Sequence, residues 1–301
     1  MDSSSPDMVG RVIDGRYRLI RRLAQGGMAD VYLAKESARK CRVAIKILRS
    51  LSPESQRRFA VEAEILSNIK SAGIVHALDI GKASDDPNGR SYMALEYLEG
   101  ASLSERLAQG PLPWRDVAEY GAQVADALHA LHVAGIVHRD VKPDNIMLTQ
   151  GGDRSVAKLI DLGLASVGKP FQEAQDEHFT PELPARHPTQ LGHPIGTPAY
   201  LPPEAGQCAA EPRLDVFALG VTLYQLCTRQ LPQSTDNRPL HVVCPESDAP
   251  EDLSRLLLAA LEPDPLERLQ SADHLRRGLA AILAARPRMS SPRHLFAGSY
   301  D

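Results

Sequence analysis

The chain lacks any apolar run approaching the ~20 residues of a membrane-spanning helix, so no segment of its 301 residues is expected to cross a bilayer. It also lacks a basic excess. A formal net charge of -4 leaves no electrostatic footprint for nucleic acid, and no such partner is expected. Cysteine is scarce: Cys41, Cys208, Cys227 and Cys244 neither cluster nor show metal-ligand spacing, and they read as reduced, mostly structural thiols. Residues 1–14 are polar and have no apolar signal-peptide core, from which a cytoplasmic location is expected. No repeat of fixed period is present. What remains, 43% hydrophobic and 24% charged residues, suits an ordinary globular protein of one large or two modest lobes.

Periodicity divides the chain into a strand-rich start and a helical remainder. Residues 17–24 and 29–34 are short runs flanking a glycine-containing turn, and residues 43–48 form an apolar run interrupted by Lys46. This predicts a three-strand meander with a candidate buried lysine. Ser52 then Pro53 is a helix-start signal, and Phe59, Val61, Ile65, Leu66 and Ile69 carry the helix to about Lys70. Residues 92–95 read as a further strand. Val117, Tyr120, Val124, Leu128 and Leu131 predict an amphipathic helix over 114–134, stopped by Gly135. Between Asp161 and Glu204 the chain has Pro181, Pro184, Pro188 and Pro194 without periodicity, which predicts a long loop.

The most informative stretch is His138-Arg139-Asp140-Val141-Lys142-Pro143-Asp144-Asn145, which places a carboxylate and a side-chain amide on one turn. The carboxylate can accept a hydroxyl proton while the amide holds a metal ion. A second carboxylate followed by glycine, Asp161-Leu162-Gly163, comes after the apolar run 156–160, a strand end.

Together these signals resemble the catalytic loop and metal-binding triplet of the protein kinase family, in which His-Arg-Asp and a following Asn precede Asp-Phe-Gly. The resemblance covers about residues 15 to 285, and Gly26-Gly27-Met28 with 141–147 make it most like the eukaryotic-type Ser/Thr kinases of bacteria. It implies an α+β, two-lobed fold: an antiparallel β lobe with one long helix over 15–98 and a larger, mainly helical lobe over 99–285. The tails would be 1–14 and 286–301.

The same resemblance implies transfer of the ATP γ-phosphoryl group to Ser or Thr hydroxyls of proteins. Asp140 would orient and deprotonate the hydroxyl, Asn145 and Asp161 would hold Mg2+ (or Mn2+), and Lys142 would offset phosphoryl charge. Val43-Ala44-Ile45-Lys46 matches the family's third strand, whose lysine contacts the α- and β-phosphates and pairs with a helix glutamate. Glu62 is preferred to Glu64 because it shares an inward face with Leu66. Backbone groups of Glu96 and Leu98 would bond the adenine edge, Val31, Ala44 and Met147 would cover its faces, and Leu95 would control the back pocket. Gly26 and Gly27 would cover the phosphates. Gly196-Thr197-Pro198-Ala199-Tyr200 matches the portion receiving a Ser/Thr substrate, with Thr197 supporting Asp140 and Lys142. Asp215 would bond the catalytic-loop backbone, and Glu204 would pair with Arg268. Thr180 and Thr189 are candidate phosphate acceptors, Arg139 being the group that such a phosphate would neutralise. A transient dimer would serve autophosphorylation.

Two departures stand out. The family pattern Gly-x-Gly-x-x-Gly reads here Ala24-Gln25-Gly26-Gly27-Met28-Ala29, so the covering loop is expected to work less tightly. In 228–250 the helix that holds protein substrates is expected to be shortened or lost. They leave a weakly active or inactive ATP-binding module as the alternative function, while a small-molecule phosphotransferase would lack the Gly-Thr-Pro-x-Tyr and Pro-Pro-Glu segment.

Overall fold

The computed structural model describes residues 8–83, 86, 89–151, 154–167, 196–207, 210–232 and 238–286. The amino-terminal part is an antiparallel sheet of β1 (Val12–Ile13), β2 (Tyr17–Gln25), β3 (Ala29–Glu36), β4 (Arg42–Leu48), β5 (Ala77–Lys82) and β6 (Ser91–Glu96), ordered β1-β2-β3-β4-β6-β5. Side chains two apart share a face of a strand. On one face Val43, Ile45 and Ile47, with Tyr32, Ala34, Tyr92 and Ala94, join Met8, Ile13, Tyr17 and Leu19 in a small core of their own. On the other, Val31, Ala44, Lys46 and Leu95 line a cleft. The expected meander is thus the middle of a six-stranded sheet. Its edges escape a periodicity reading, since β1 has 2 residues and β5 exposes Leu78 and Ile80 by 42% and 44%.

Beneath the cleft-facing side lies α1 (Pro53–Asn68). The Ser52 hydroxyl accepts the Ser55 N–H at 3.2 Å, and Pro53 sits in the first turn, where its missing N–H costs nothing. The buried face carries Phe59, Glu62, Ala63, Ile65 and Leu66. The helix stops at Asn68 rather than near Lys70, because Ile69 turns to extended backbone and packs against the larger core.

The remainder is mainly helical: α2 (Leu103–Ala108), α3 (Trp114–Val133), α4 (Pro212–Thr228), α5 (Leu240–Val243), α6 (Glu251–Ala260) and α7 (Ala272–Ala285). Three short strands, β7 (Gly100–Ser102), β9 (Ile146–Gly151) and β10 (Arg154–Leu159), form a sheet below the cleft, and β8 (Ile136–Val137) pairs with β11 (Ser166–Val167). α3 buries Val117, Val124, Leu128 and Leu131 as its spacing predicts and ends at Val133. A Cβ on Gly121 would stand 2.8 Å from Leu223 Cδ1, so glycine there lets α3 approach α4 closely. α4 is buried along most of its length, Asp215 included at 0% exposure.

In 228–250, where the substrate-holding helix was expected to be shortened or lost, the described residues after α4 form one short helix, α5, with 4 residues. Of the thiols among the described residues, only Cys227 is buried; Cys41 is exposed, contrary to a structural role, because it sits just before β4. Cys208 lies outside the described residues. No helix among them is long and apolar enough to cross a membrane.

Candidate active site

The floor of the cleft is the loop after β8, and a buried carboxylate beneath it fixes its path. Asp215 accepts the backbone N–H groups of His138 and Arg139, both at 2.8 Å, and lies 2.8 Å from His132 Nε2. Burial alone would raise the Asp215 carboxyl, but the His132 bond and the neighbouring imidazoles outweigh it and hold it below its ordinary range. With its backbone tied this way, Arg139 takes φ 71°, a conformation that L-residues seldom adopt. His138, fully buried, accepts the Asp140 N–H through Nδ1 at 3.2 Å, and burial keeps its imidazole below the ordinary pKa.

That backbone presents Asp140 to a ring of donors. Oδ1 accepts the Thr197 hydroxyl at 2.7 Å and its N–H at 3.2 Å; Oδ2 accepts Lys142 Nζ at 2.8 Å and Asn145 Nδ2 at 2.9 Å. Lys142 also donates to Thr197 Oγ1 at 2.7 Å, closing the ring. Thr197 reaches the site because Gly196 adopts φ +130° and passes so near the loop that a Cβ would fall 2.6 Å from the Arg139 carbonyl. Below, Arg268, 1% exposed, makes a two-pronged pair with Glu204 at 2.6 and 3.1 Å, tying this segment to the helical lobe.

The facing wall joins both lobes. Lys46 Nζ lies 2.6 and 2.7 Å from the Glu62 oxygens and 3.1 Å from Asp161 Oδ1. Burial would lower the lysine pKa, but the two carboxylates raise it further and keep the ammonium charged. Burial pushes the Glu62 carboxyl up, against the pull of Lys46. Burial also works to raise Asp161, yet Lys46 and the Gly163 N–H outweigh it and hold its carboxyl at about 2. Glu64 is only half-buried and makes no contact with Lys46 among the described bonds.

Between these walls is a cleft of about 810 Å³ lined by Gly26, Gly27, Val31, Ala44, Lys46, Leu95, Glu96, Leu98, Asp140, Asn145, Met147 and Asp161. Glu62, Lys142 and Thr197 stand behind this lining and touch it through Lys46 and Asp140. Asp161 and Asn145 offer oxygen donors of the kind that hard divalent cations take. The Asp161 side chain is 45% exposed, and Asn145 uses its amide nitrogen on Asp140, which leaves the amide oxygen for a cation. Thr180 and Thr189 lie outside the described residues.

Sequence reasoning passed over three supports. His132, in the last turn of α3, braces Asp215; its recurrence on the face that buries Leu128 was the available signal. Lys158 donates to Glu96 Oε1 at 2.6 Å, the same oxygen that accepts the His76 N–H at 2.9 Å, so the strand before Asp161 is linked to the lobe junction. Gln123 accepts the Ala157 N–H at 2.8 Å and fixes β10 from α3. Long-range polar pairs of this kind leave no mark on periodicity.

A curled antiparallel sheet over a helical lobe, with this polar cluster at their junction, defines the protein kinase fold. The protein kinase domain profile matches residues 17–277, and the chain belongs to that family. It is similar to the serine/threonine-protein kinase Pkn1 of Myxococcus xanthus, 34% identical over 92% of this chain and 40% of that protein. The serine/threonine-protein kinase PknA of Mycobacterium tuberculosis is 33% identical over 92% of this chain and 64% of its own length. Across such relatives the chain spans 34% to 64% of the longer protein. Among solved structures, the PknI kinase domain of Mycobacterium tuberculosis superposes with a TM-score of 0.66 at 25% identity, over 92% of this chain and 99% of that one.

Proposed function

We propose that this domain transfers the γ-phosphoryl group of ATP to serine or threonine hydroxyls of proteins, its own chain included when two copies meet transiently. The observation that carries the reading is the closed ring Asp140-Lys142-Thr197, with Asn145 on the same carboxylate, set across the cleft from Lys46 and Asp161.

Asp140, held by four bonds, is a fixed acceptor for the proton of a hydroxyl brought to it. Lys142, 2.8 Å away, carries positive charge to the point where phosphoryl charge moves. Lys46 serves the remaining phosphates, and Glu62 keeps its ammonium in place. Gly26 and Gly27 cover them with backbone. The adenine lies between Val31 and Ala44 above and Met147 below, its edge against the backbone of Glu96 and Leu98 and its back against Leu95. Asp161 and Asn145 would hold magnesium, or manganese, which when bound neutralises phosphate charge. Thr197 supports Ser/Thr preference because it shares its hydroxyl between Asp140 and Lys142. The proposed setting is the cytoplasm, where ATP is supplied.

Incubation with labelled ATP, magnesium and a generic basic protein tests the reading beside an Asp140→Asn control. Label transfer by the natural protein and none by the control is the expected result. Nucleotide binding with no transfer by either protein would leave a binding module instead.

A further inference from the structure

The turn between β2 and β3 has Ala24 and Ala29 where the kinase-family pattern has glycine, yet its backbone is tightly held. The Gly26 N–H donates to the Ala29 carbonyl at 3.0 Å. Its other bonds go to one residue beyond the end of β4: the Arg49 N–H donates to the Met28 carbonyl at 2.8 Å, and Arg49 Nη1 donates to the Gly26 carbonyl at 3.0 Å. Arg49 is not part of the cleft lining, whereas Gly26, Gly27 and Met28 are. A trans peptide is planar, with its C=O and N–H pointing in opposite directions. Fixing the Gly26 carbonyl on Arg49, outside the cleft, therefore turns the Gly27 N–H away from Arg49. That N–H has no partner among the described residues.

Asp30, the second residue of β3, is 3% exposed and places Oδ1 3.8 Å from Arg49 Nη1. Neither Asp30 Oδ1 nor Arg49 Nε has a hydrogen-bond partner among the described residues. The carboxylate thus steers the guanidinium by charge without capturing its donors, and the hydrogen bond goes to the turn. We propose that Arg49, oriented by Asp30, is a positioning residue for nucleotide phosphates: from outside the cleft it aims the Gly27 N–H at them. This rests on the ATP reading above. It places in one side chain the order that glycines would otherwise give through a close-fitting loop.

The test compares adenosine, ADP and ATP binding, with magnesium, by titration calorimetry on the full chain and on Arg49→Met and Asp30→Asn. Arg49→Met keeps the stem and the backbone bond to Met28 but loses the bond to Gly26. The expected result is ADP and ATP binding about fivefold to tenfold weaker with adenosine unchanged, the size of one well-placed hydrogen bond. KM for ATP rises by the same factor, KM for protein substrate stays, and Arg49→Lys recovers part of the loss. Equal weakening of adenosine and ATP, or none of either, overturns the inference. Should Arg49→Met fail to fold, Asp30→Asn decides: a smaller loss confined to the phosphate-bearing ligands supports it, and any other pattern overturns it. Natural protein that binds no ATP sinks the nucleotide reading itself, whereas natural protein that binds ATP beside unselective variants sinks only the role of Arg49.

Discussion

The two walls of the cleft are stabilised in different ways. The catalytic-loop wall is held from within one lobe: Asp215, on a buried helix, fixes the backbone, and the backbone presents Asp140 to its four bonds. The opposite wall is held across lobes, Lys46 on β4 meeting Glu62 on α1 and Asp161 after β10. A wall built inside one rigid body keeps its geometry whatever the lobes do. A wall that spans two bodies has its geometry only when α1 and the sheet are docked, so its integrity is a readout of lobe arrangement.

The comparison is broken most severely at its chemical centre. Asp140→Asn keeps the shape of the first wall while removing the proposed proton acceptor, and kcat should fall about a hundredfold to ten-thousandfold with nucleotide affinity retained. Steady-state kinetics alongside ATP titration checks this; a matching loss of ATP affinity would mean that the two walls are not separable.

The cross-lobe wall predicts a different signature. Glu62→Ala removes the better partner of a lysine only 7% exposed, which costs about 3–5 kcal/mol for a buried pair, toward the lower end because Asp161 remains 3.1 Å away. Lys46→Met combined with Glu62→Leu removes both charges and should recover most of that stability in urea denaturation without recovering phosphotransfer. Recovery of activity in the double variant would show that Lys46 acts only as a strut. A smaller effect is expected under the first wall, where His132→Ala deletes one of three bonds to Asp215. Stability should drop by about 1–3 kcal/mol while kcat holds, since the bonds from His138 and Arg139 persist.

How much of this was readable from the chain follows the same division. The strand alternation around Lys46, the capped start of α1 and the spacing along α3 are local patterns, and the structure forms each within a few residues of the expected bounds. The four polar residues of the Asp140 ring were readable because a dense motif places three of them within six positions. Contacts such as His132 with Asp215 or Lys158 with Glu96 join positions 83 and 62 apart, and no periodicity encodes them. The back-face core was likewise hidden, since Met8, Ile13 and Ala83 meet only when the sheet curls. The positive φ of Arg139 is imposed by Asp215 from outside the loop, so nothing in the loop's own residues announces it.

Ala24 and Ala29 are where a sequence argument and the structure diverge, and the smallest expected effect lies there. Alanine was expected to make the turn work less tightly, by losing the freedom for positive φ and by adding a methyl where close approach is wanted. Neither residue is among those with positive φ, because Ala24 is the penultimate residue of β2, opposite Val31, and Ala29 opens β3 opposite Leu48, both in the ladder. Ala29 also buries its methyl at 6% exposure. Restoring glycine therefore adds freedom that the native backbone does not use and loses packing. Ala24→Gly and Ala29→Gly should each lower stability by about 0.5–1 kcal/mol in thermal or urea unfolding and leave KM for ATP nearly unchanged. A clear fall in KM on restoring either glycine would show that the methyl itself, by limiting how closely the turn approaches the phosphates, sets the affinity of this wall.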